Sequence, residues 1–262
     1  MKDELIAATY AAIDWSGRAD DRGRTTWLAV VRADVVSQLE NCRPRAALRD
    51  ELIRLRDEST HTVVGIDFAF AFPAWYMHEQ GWRTGRQLWA AAHRHGDEWL
   101  ARAEPPFWGR STKRPHHAGV SLRRTEQQVG GAPKSIFQIG GAGAVGTGSI
   151  RGMWLLHELA EANFAIWPFD EAGPATVIEI YPRLLTGRVN KSSVGPCLGH
   201  LDATYSADEL PDLYRGMAAA TEDAFDAAVS ALEMARHAAE LQNLQKGDQL
   251  DRLEGRIWAP RS

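Results

Sequence analysis

Apolar and polar residues follow two different spacings along the first quarter of the chain. Residues 5–13 and 25–32 are short, mostly apolar runs with turn-forming residues between them, which is typical of the two strands of a β-hairpin. Residues 45–58 repeat apolar positions at helical spacing among charges, and residues 62–66 form a short apolar run that ends at Asp67. The order β-β-α-β predicts an α/β domain whose sheet is covered by helices.

The rest of the chain continues this alternation. Residues 184–211 show no clear pattern, and residues 257–260 form a short apolar segment near the end. Further helices are predicted at residues 82–102, 149–163 and 218–241, and further strands at residues 135–139, 164–169 and 175–180.

Length and composition favour one folded domain. The chain has 262 residues, of which 44% are hydrophobic and 24% charged, as in ordinary globular proteins. We therefore expect a single domain over residues 1–262. Proline and glycine residues at about 80–150 predict a looped insertion into it.

Charge and cysteine content narrow the possible classes. A formal net charge of −4 argues against a protein that coats nucleic acid over its whole surface. Cys42 and Cys197 form neither a closely spaced metal-ligand pair nor a disulfide framework, so we expect a cytoplasmic protein. No apolar run reaches the roughly 20 residues that span a membrane. Asp14 closes the first apolar run, which argues against a secretory leader.

Basic residues are concentrated in the predicted insertion. Two aromatic residues, Phe107 and Trp108, lie close by, and this combination is typical of surfaces that bind single-stranded nucleic acid. A solvated basic loop is the alternative. The candidate nucleic-acid-binding residues are Arg110, Lys113, Arg114, Arg123, Arg124 and Lys134.

Two aspartates follow predicted strands. Asp14 ends the first strand and Asp67 ends the strand at residues 62–66. If these strands are parallel neighbours, the two carboxylates lie side by side, and a bound cation or a raised pKa relieves their repulsion. Carboxylates suit Mg²⁺ or Mn²⁺, which can support phosphodiester hydrolysis. Capping of the following turn is the alternative for each aspartate.

Three more acidic residues are candidates for the same site. Glu179 lies among apolar residues of a predicted strand, and a buried acid needs a partner, which is either a metal or an arginine such as Arg183. Asp223 and Asp226 are three residues apart on the late helix and share one face of it. That face is polar, so a solvent-exposed helix surface is the alternative for both.

Five short motifs, in order, resemble a known family. They lie at residues 12–17 (AIDWSG), 64–73 (VGIDFAFAFP), 177–182 (VIEIYP), 222–228 (EDAFDAA) and 255–260 (GRIWAP). Together they resemble the family catalogued as domain of unknown function 429, over nearly the whole chain. The resemblance implies a ribonuclease-H-like fold, a mixed sheet flanked by helices, and nuclease activity on DNA or RNA.

The arrangement of acids is also similar to that of RuvC-type resolvases. Those proteins carry an acid on the first strand, another on the fourth and two acids three residues apart on the last helix. The similarity implies that Asp14 bridges two metal ions, that Asp67 and Asp226 complete their shells, and that Asp223 is an alternative ligand. Glu179 belongs to a motif of the narrower family and is added to the candidate catalytic residues.

A glycine-rich segment supports a different hypothesis. The residues from Gly141 to Gly146 match the G-x-G-x-x-G pattern of dinucleotide-binding loops, between a predicted strand and a predicted helix. The alternative function is therefore nucleotide or dinucleotide binding, as in an oxidoreductase or an actin-like phosphotransferase. Tight turns and close packing also explain such glycines. A third hypothesis is a ribonuclease-H-like binding module without catalysis.

Overall fold

A seven-stranded mixed sheet forms the centre of the protein. The structure is a computed structural model that describes residues 7–17, 26–41, 44–109, 121–129 and 132–261. The strands are β1 (Thr9–Asp14), β2 (Trp27–Arg32), β3 (Val35–Asn41), β4 (Thr62–Ile66), β5 (Ala165–Ile166), β6 (Ala175–Ile180) and β7 (Ile257–Trp258). Their spatial order is β3-β2-β1-β4-β6-β5, and β7 also pairs with β6. β2 runs antiparallel to β1 and β3, whereas β4, β5, β6 and β7 run parallel to β1.

Helices cover both faces of this sheet. They are α1 (Arg45–Asp57), α2 (Ala74–Glu79), α3 (Gly85–Arg102), α4 (Arg124–Gln128), α5 (Val145–Glu161), α6 (Pro182–Thr186), α7 (Val194–Thr204), α8 (Asp212–Ala220), α9 (Glu222–Arg236), α10 (Ala238–Leu241) and α11 (Asp251–Glu254). Apolar residues of α1, α3 and α5 share a core with one face of the sheet, and those of α7, α8 and α9 share a second core with the other face. The prediction of an α/β sheet flanked by helices is confirmed.

Alternation along β1 assigns its side chains to the two cores. Ala11 and Ile13 face the core of α5, whereas Tyr10 and Ala12 face the core of α9. Because successive side chains of a strand point to opposite faces, Asp14 points toward α9.

Several predicted elements differ from the structure. The helix predicted at residues 218–241 is divided into α8, α9 and α10. Thr221 separates α8 from α9 as the cap of α9, since its hydroxyl accepts a hydrogen bond from the amide of Ala224 at 3.1 Å, and the break before α10 falls at His237. Residues 135–139 do not form a strand. Of residues 164–169, only the two residues of β5 form one. Residues 184–211 contain α7 and the end of α6.

Candidate carboxylate site

The sheet register brings the two strand-end aspartates together. Ile13 of β1 pairs with Ile66 of β4 in a parallel ladder, so the next residues, Asp14 and Asp67, are neighbours. The amide of Asp67 also donates a hydrogen bond of 3.0 Å to the carbonyl oxygen of Ile13. Both side chains therefore lie at the carboxyl edge of the sheet, on the face that α9 covers.

Helix α9 adds two more carboxylates to this edge. Its buried face is rich in alanine, and β4 has a glycine, Gly65, where a Cβ atom would come within 2.7 Å of the sulfur of Met234. These small residues let α9 lie close to the sheet. Asp223 and Asp226 stand in the first two turns of α9, and the charges of both act on Asp14.

Burial and mutual repulsion make these four carboxylates hard to ionise. The pKa of Asp14 lies well above its ordinary value, first because of burial and then because of the charges of Asp67, Asp223 and Asp226. Burial, together with Asp226 and Glu179, raises the pKa of Asp67 to about 8. Burial is also the main reason that the pKa values of Asp223 and Asp226 are raised. We call Asp14, Asp67, Asp223 and Asp226 the aspartate cluster.

One lysine partly compensates this negative charge. The ammonium group of Lys191 binds both carboxylate oxygens of Asp226, at 2.7 Å from Oδ2, and its positive charge lowers the pKa of every member of the aspartate cluster. Lys191 lies between α6 and α7, in a segment whose sequence predicts no element. No local pattern in the sequence marks this residue, so its place in the site emerges only from the fold.

Glu179 points to the other face of the sheet. In the β4–β6 ladder it pairs with Ile66, one residue before Asp67, so its side chain faces away from α9. It is 2% exposed and binds the guanidinium of Arg123 with both oxygens, one at 2.8 Å from Nη1. It also accepts a hydrogen bond from the amide of Phe70, at 3.0 Å. The expected arginine partner exists, but it is Arg123 and not Arg183.

The candidate nucleic-acid-binding residues lie in different environments and do not form one described surface. Arg123 is 1% exposed and paired with Glu126 and Glu179, so its predicted place on a binding surface is wrong. Arg124 is partly exposed and bound to Asp248 and Asp251 at 2.7 and 2.5 Å. Lys134 is exposed beside a cavity. Arg110, Lys113 and Arg114 lie outside the described residues.

That cavity, of about 540 Å³, lies at the carboxyl edge of the sheet beside the aspartate cluster. The residues that follow β1, β4 and β6 line it together with the first turn of α5. Asp67 belongs both to this lining and to the aspartate cluster. We call this space the edge cavity.

The glycine-rich segment packs against its neighbours and lacks the strand that a dinucleotide loop follows. Gly146 lies inside α5, where a Cβ atom would come within 2.0 Å of the carbonyl oxygen of Ile136. A Cβ atom on Gly17 would come within 2.1 Å of the Cα atom of Gly148. Since residues 135–139 are not a strand, the strand–loop–helix context of the dinucleotide hypothesis is absent from this part of the described chain.

The donor chemistry of the aspartate cluster fits a hard divalent cation, since every donor is a carboxylate oxygen. Within the described residues, however, no group of three or more histidine, cysteine, aspartate or glutamate side chains is already arranged to hold a metal ion. The aspartates would have to close around an ion, and Asp226 would have to exchange at least part of its contact with Lys191 for it.

Comparison with known proteins finds no matching family model, no matching curated protein and no matching solved structure. Among the helices of the described chain, none is long and apolar enough to cross a membrane.

Proposed function

We propose that the protein is a nuclease of ribonuclease-H-like type that depends on Mg²⁺ or Mn²⁺. The observation that carries the proposal is the convergence of four aspartates, from β1, the end of β4 and α9, at one edge of the sheet. Burial and the nearby acids raise their pKa values, and Lys191 opposes this shift, so a further cation would also favour the charged carboxylates. The strand and helix positions of these acids also support the proposal, because they follow the layout that the resemblance to RuvC-type resolvases implies.

The position of each residue in the aspartate cluster suggests its role in binding a metal ion. The charges of Asp67, Asp223 and Asp226 all act on Asp14, so Asp14 would be the central ligand of a bound ion. Asp67 and Asp226 would be further ligands, and Asp226 would exchange part of its contact with Lys191 for the ion. A bound Mg²⁺ or Mn²⁺ would supply an activated water and a counter-charge for the leaving oxygen. Glu179, held by Arg123, would act by shaping the edge beside Asp67.

Cation binding and cleavage test the proposal separately. Calorimetry should show Mn²⁺ binding to the wild-type protein and its loss in Asp14→Asn and Asp67→Asn. The same substitutions should reduce the cleavage rate of DNA or RNA by more than about a hundredfold, because they remove ligands of the reacting centre. Asp208→Asn, which changes an exposed aspartate outside the cluster, is the matched control. Cleavage at the wild-type rate by both cluster variants would refute the nuclease.

The non-catalytic alternative remains a second proposal for one reason. Within the described residues, no group of three or more histidine, cysteine, aspartate or glutamate side chains is already arranged to hold a metal, as a module that keeps the fold without the chemistry would also show. Calorimetry distinguishes the two proposals. If the protein is a non-catalytic module, titration with Mn²⁺ should give no heat of binding at any concentration that leaves the protein folded.

A further inference from the structure

The edge cavity lies beside the aspartate cluster but on the opposite side of the sheet edge. Trp15 and Phe68, which line it, belong to the core of α5, whereas the cluster faces α9. Asp67 is the residue common to both. A ligand that fills the cavity therefore reaches a cluster carboxylate without crossing protein.

Part of the wall of the edge cavity is apolar and aromatic. Phe68 and Trp15 form the inner wall, with ring centroids 5.7 Å apart. Val145 is 39% exposed, one of the few large apolar side chains that the described surface leaves uncovered, and it lines the cavity. Tyr181 follows β6 and is partly exposed there. Such walls favour a flat, weakly polar group over a charged one.

The lining of the same cavity carries charges of both signs. Lys134 is exposed, and it has no ion pair with any described residue. Arg151 lines the cavity too, fixed by hydrogen bonds of 3.1 Å to the carbonyl oxygen of Gly17 and to Asp97. Arg123 also lines the cavity but is paired with Glu126 and Glu179, which lie in the lining too, and Arg151 is paired with Asp97. Among the described residues of the lining, Lys134 is therefore the cation that can face an anionic group attached to the flat one.

The size of the cavity limits what can enter. About 540 Å³ lies within the range of about 300–1,000 Å³ that small-molecule sites occupy. One nucleotide fits such a space. A base inside a duplex is stacked and paired, so it must be unpaired or turned outward before it can enter.

We propose that the edge cavity binds the base and sugar of one unpaired nucleotide of the substrate, so that the adjoining phosphate lies at the aspartate cluster. This inference rests on the proposed nuclease function for the identity of the substrate. It assigns the substrate class: nucleic acid with at least one unpaired nucleotide at the point of cleavage.

Neutral nucleosides test the cavity without the metal. In a buffer with EDTA, calorimetry should show that adenosine or cytidine binds the wild-type protein about tenfold or more tightly than ribose, because stacking on side chains supplies the difference. Ala144→Trp should abolish this preference, since Ala144 lines the cavity and its side chain makes no capping bond to α5. Ala142→Trp, on an exposed residue outside the lining, should keep it.

A second variant tests the cavity in case Ala144→Trp does not fold. Tyr181→Ala should weaken nucleoside binding by about tenfold while it leaves ribose binding unchanged. Thermal unfolding of each variant verifies the fold. Equal binding of nucleoside and ribose by the wild-type protein, or an unchanged preference in folded Ala144→Trp and Tyr181→Ala proteins, would overturn the proposal.

Cleavage assays then separate this proposal from the nuclease. With Mn²⁺, the wild-type protein should cleave a single strand and not a blunt duplex of the same sequence, and Ala144→Trp should lose cleavage that Ala142→Trp retains. Nucleoside binding without any cleavage would refute the nuclease and support the cavity as a nucleoside site. Equal cleavage of both substrates, unaffected by Ala144→Trp, would support the nuclease and overturn the cavity proposal.

Discussion

Replacing Asp67 by asparagine should stabilise the metal-free protein at pH 8. Burial and the nearby charges raise the pKa of Asp67 from its ordinary value of 3.8 to about 8. A carboxyl group with a raised pKa in the folded state holds its proton more tightly there than in the unfolded chain. Its contribution to stability is complete below the unfolded pKa and is lost as the pH rises through the folded one. Asparagine has no such loss.

The size of the effect follows from the same values. A tenfold change in proton affinity corresponds to about 1.4 kcal/mol, so a pKa difference between 3.8 and about 8 sets an upper limit of about 6 kcal/mol. Asp67 is partly exposed at the edge of the sheet, so solvent screens part of this cost. We therefore expect Asp67→Asn to raise the free energy of unfolding by about 2–3 kcal/mol at pH 8 and by much less at pH 4.

Urea denaturation in EDTA at several pH values between 4 and 8 measures this difference. The gain of Asp67→Asn over the wild-type protein should grow steadily across that range, and Asp208→Asn should show no such growth. Added Mn²⁺ should stabilise the wild-type protein and not Asp67→Asn. A gain that is the same at pH 4 and pH 8, or a variant less stable than the wild type at pH 8, would refute the electrostatic reasoning.

Three further substitutions test the packing and the buried ion pair beside the site by the same denaturation assay. Gly146→Ala should lower the free energy of unfolding by about 2 kcal/mol or more, because its Cβ atom would overlap the carbonyl oxygen of Ile136. Gly199→Ala, in an exposed helix position with open space, should raise it by about 0.5–1 kcal/mol, and the opposite order would contradict the packing role. Glu179→Gln should cost about 3 kcal/mol, because it removes one of the carboxylates that compensate the buried charge of Arg123. An unchanged free energy of unfolding in Glu179→Gln would show that the ion pair is not needed for stability.

The elements with strong local signals could be predicted from the sequence. Runs of β-branched and apolar residues identify β4 and β6, and helical spacing identifies α1. Strand β3 was missed because its turn has no local marker: Ala33 and Asp34 both adopt positive φ, at 49° and 62°, in a turn that glycine or asparagine usually makes. Its two buried residues, Val36 and Leu39, are three positions apart because the ladder with β2 is irregular between Val30 and Val31, so β3 lacks the strict alternation that identifies a strand in the sequence.

The candidate site was predictable where sequence position determines geometry. Asp14 and Asp67 follow strands that are parallel neighbours, so their proximity follows from the fold class once the strands are identified. Lys191 and Arg123 were not predictable in their actual roles. Each lies in a segment without periodicity, and each is placed by contacts with residues 35 or more positions away along the chain. An isolated basic residue in such a segment cannot be told from a solvated one.

The register between β4 and β6 determines which face of the sheet the side chain of Glu179 points to. Had β6 paired with β4 one residue further along, Glu179 would lie beside Asp67 on the face of α9 and add a fifth negative charge to a cluster with a single lysine. In the observed register its side chain points into the core of α5. A buried carboxylate without a cation would be destabilising there, and Arg123 compensates its charge. Arg123 in turn is bound to Glu126 and to the carbonyl oxygen of Glu254, and Arg123, Glu126 and Glu179 all line the edge cavity. The register between β4 and β6 therefore separates the acids that would bind a cation from the acid that builds the adjoining cavity.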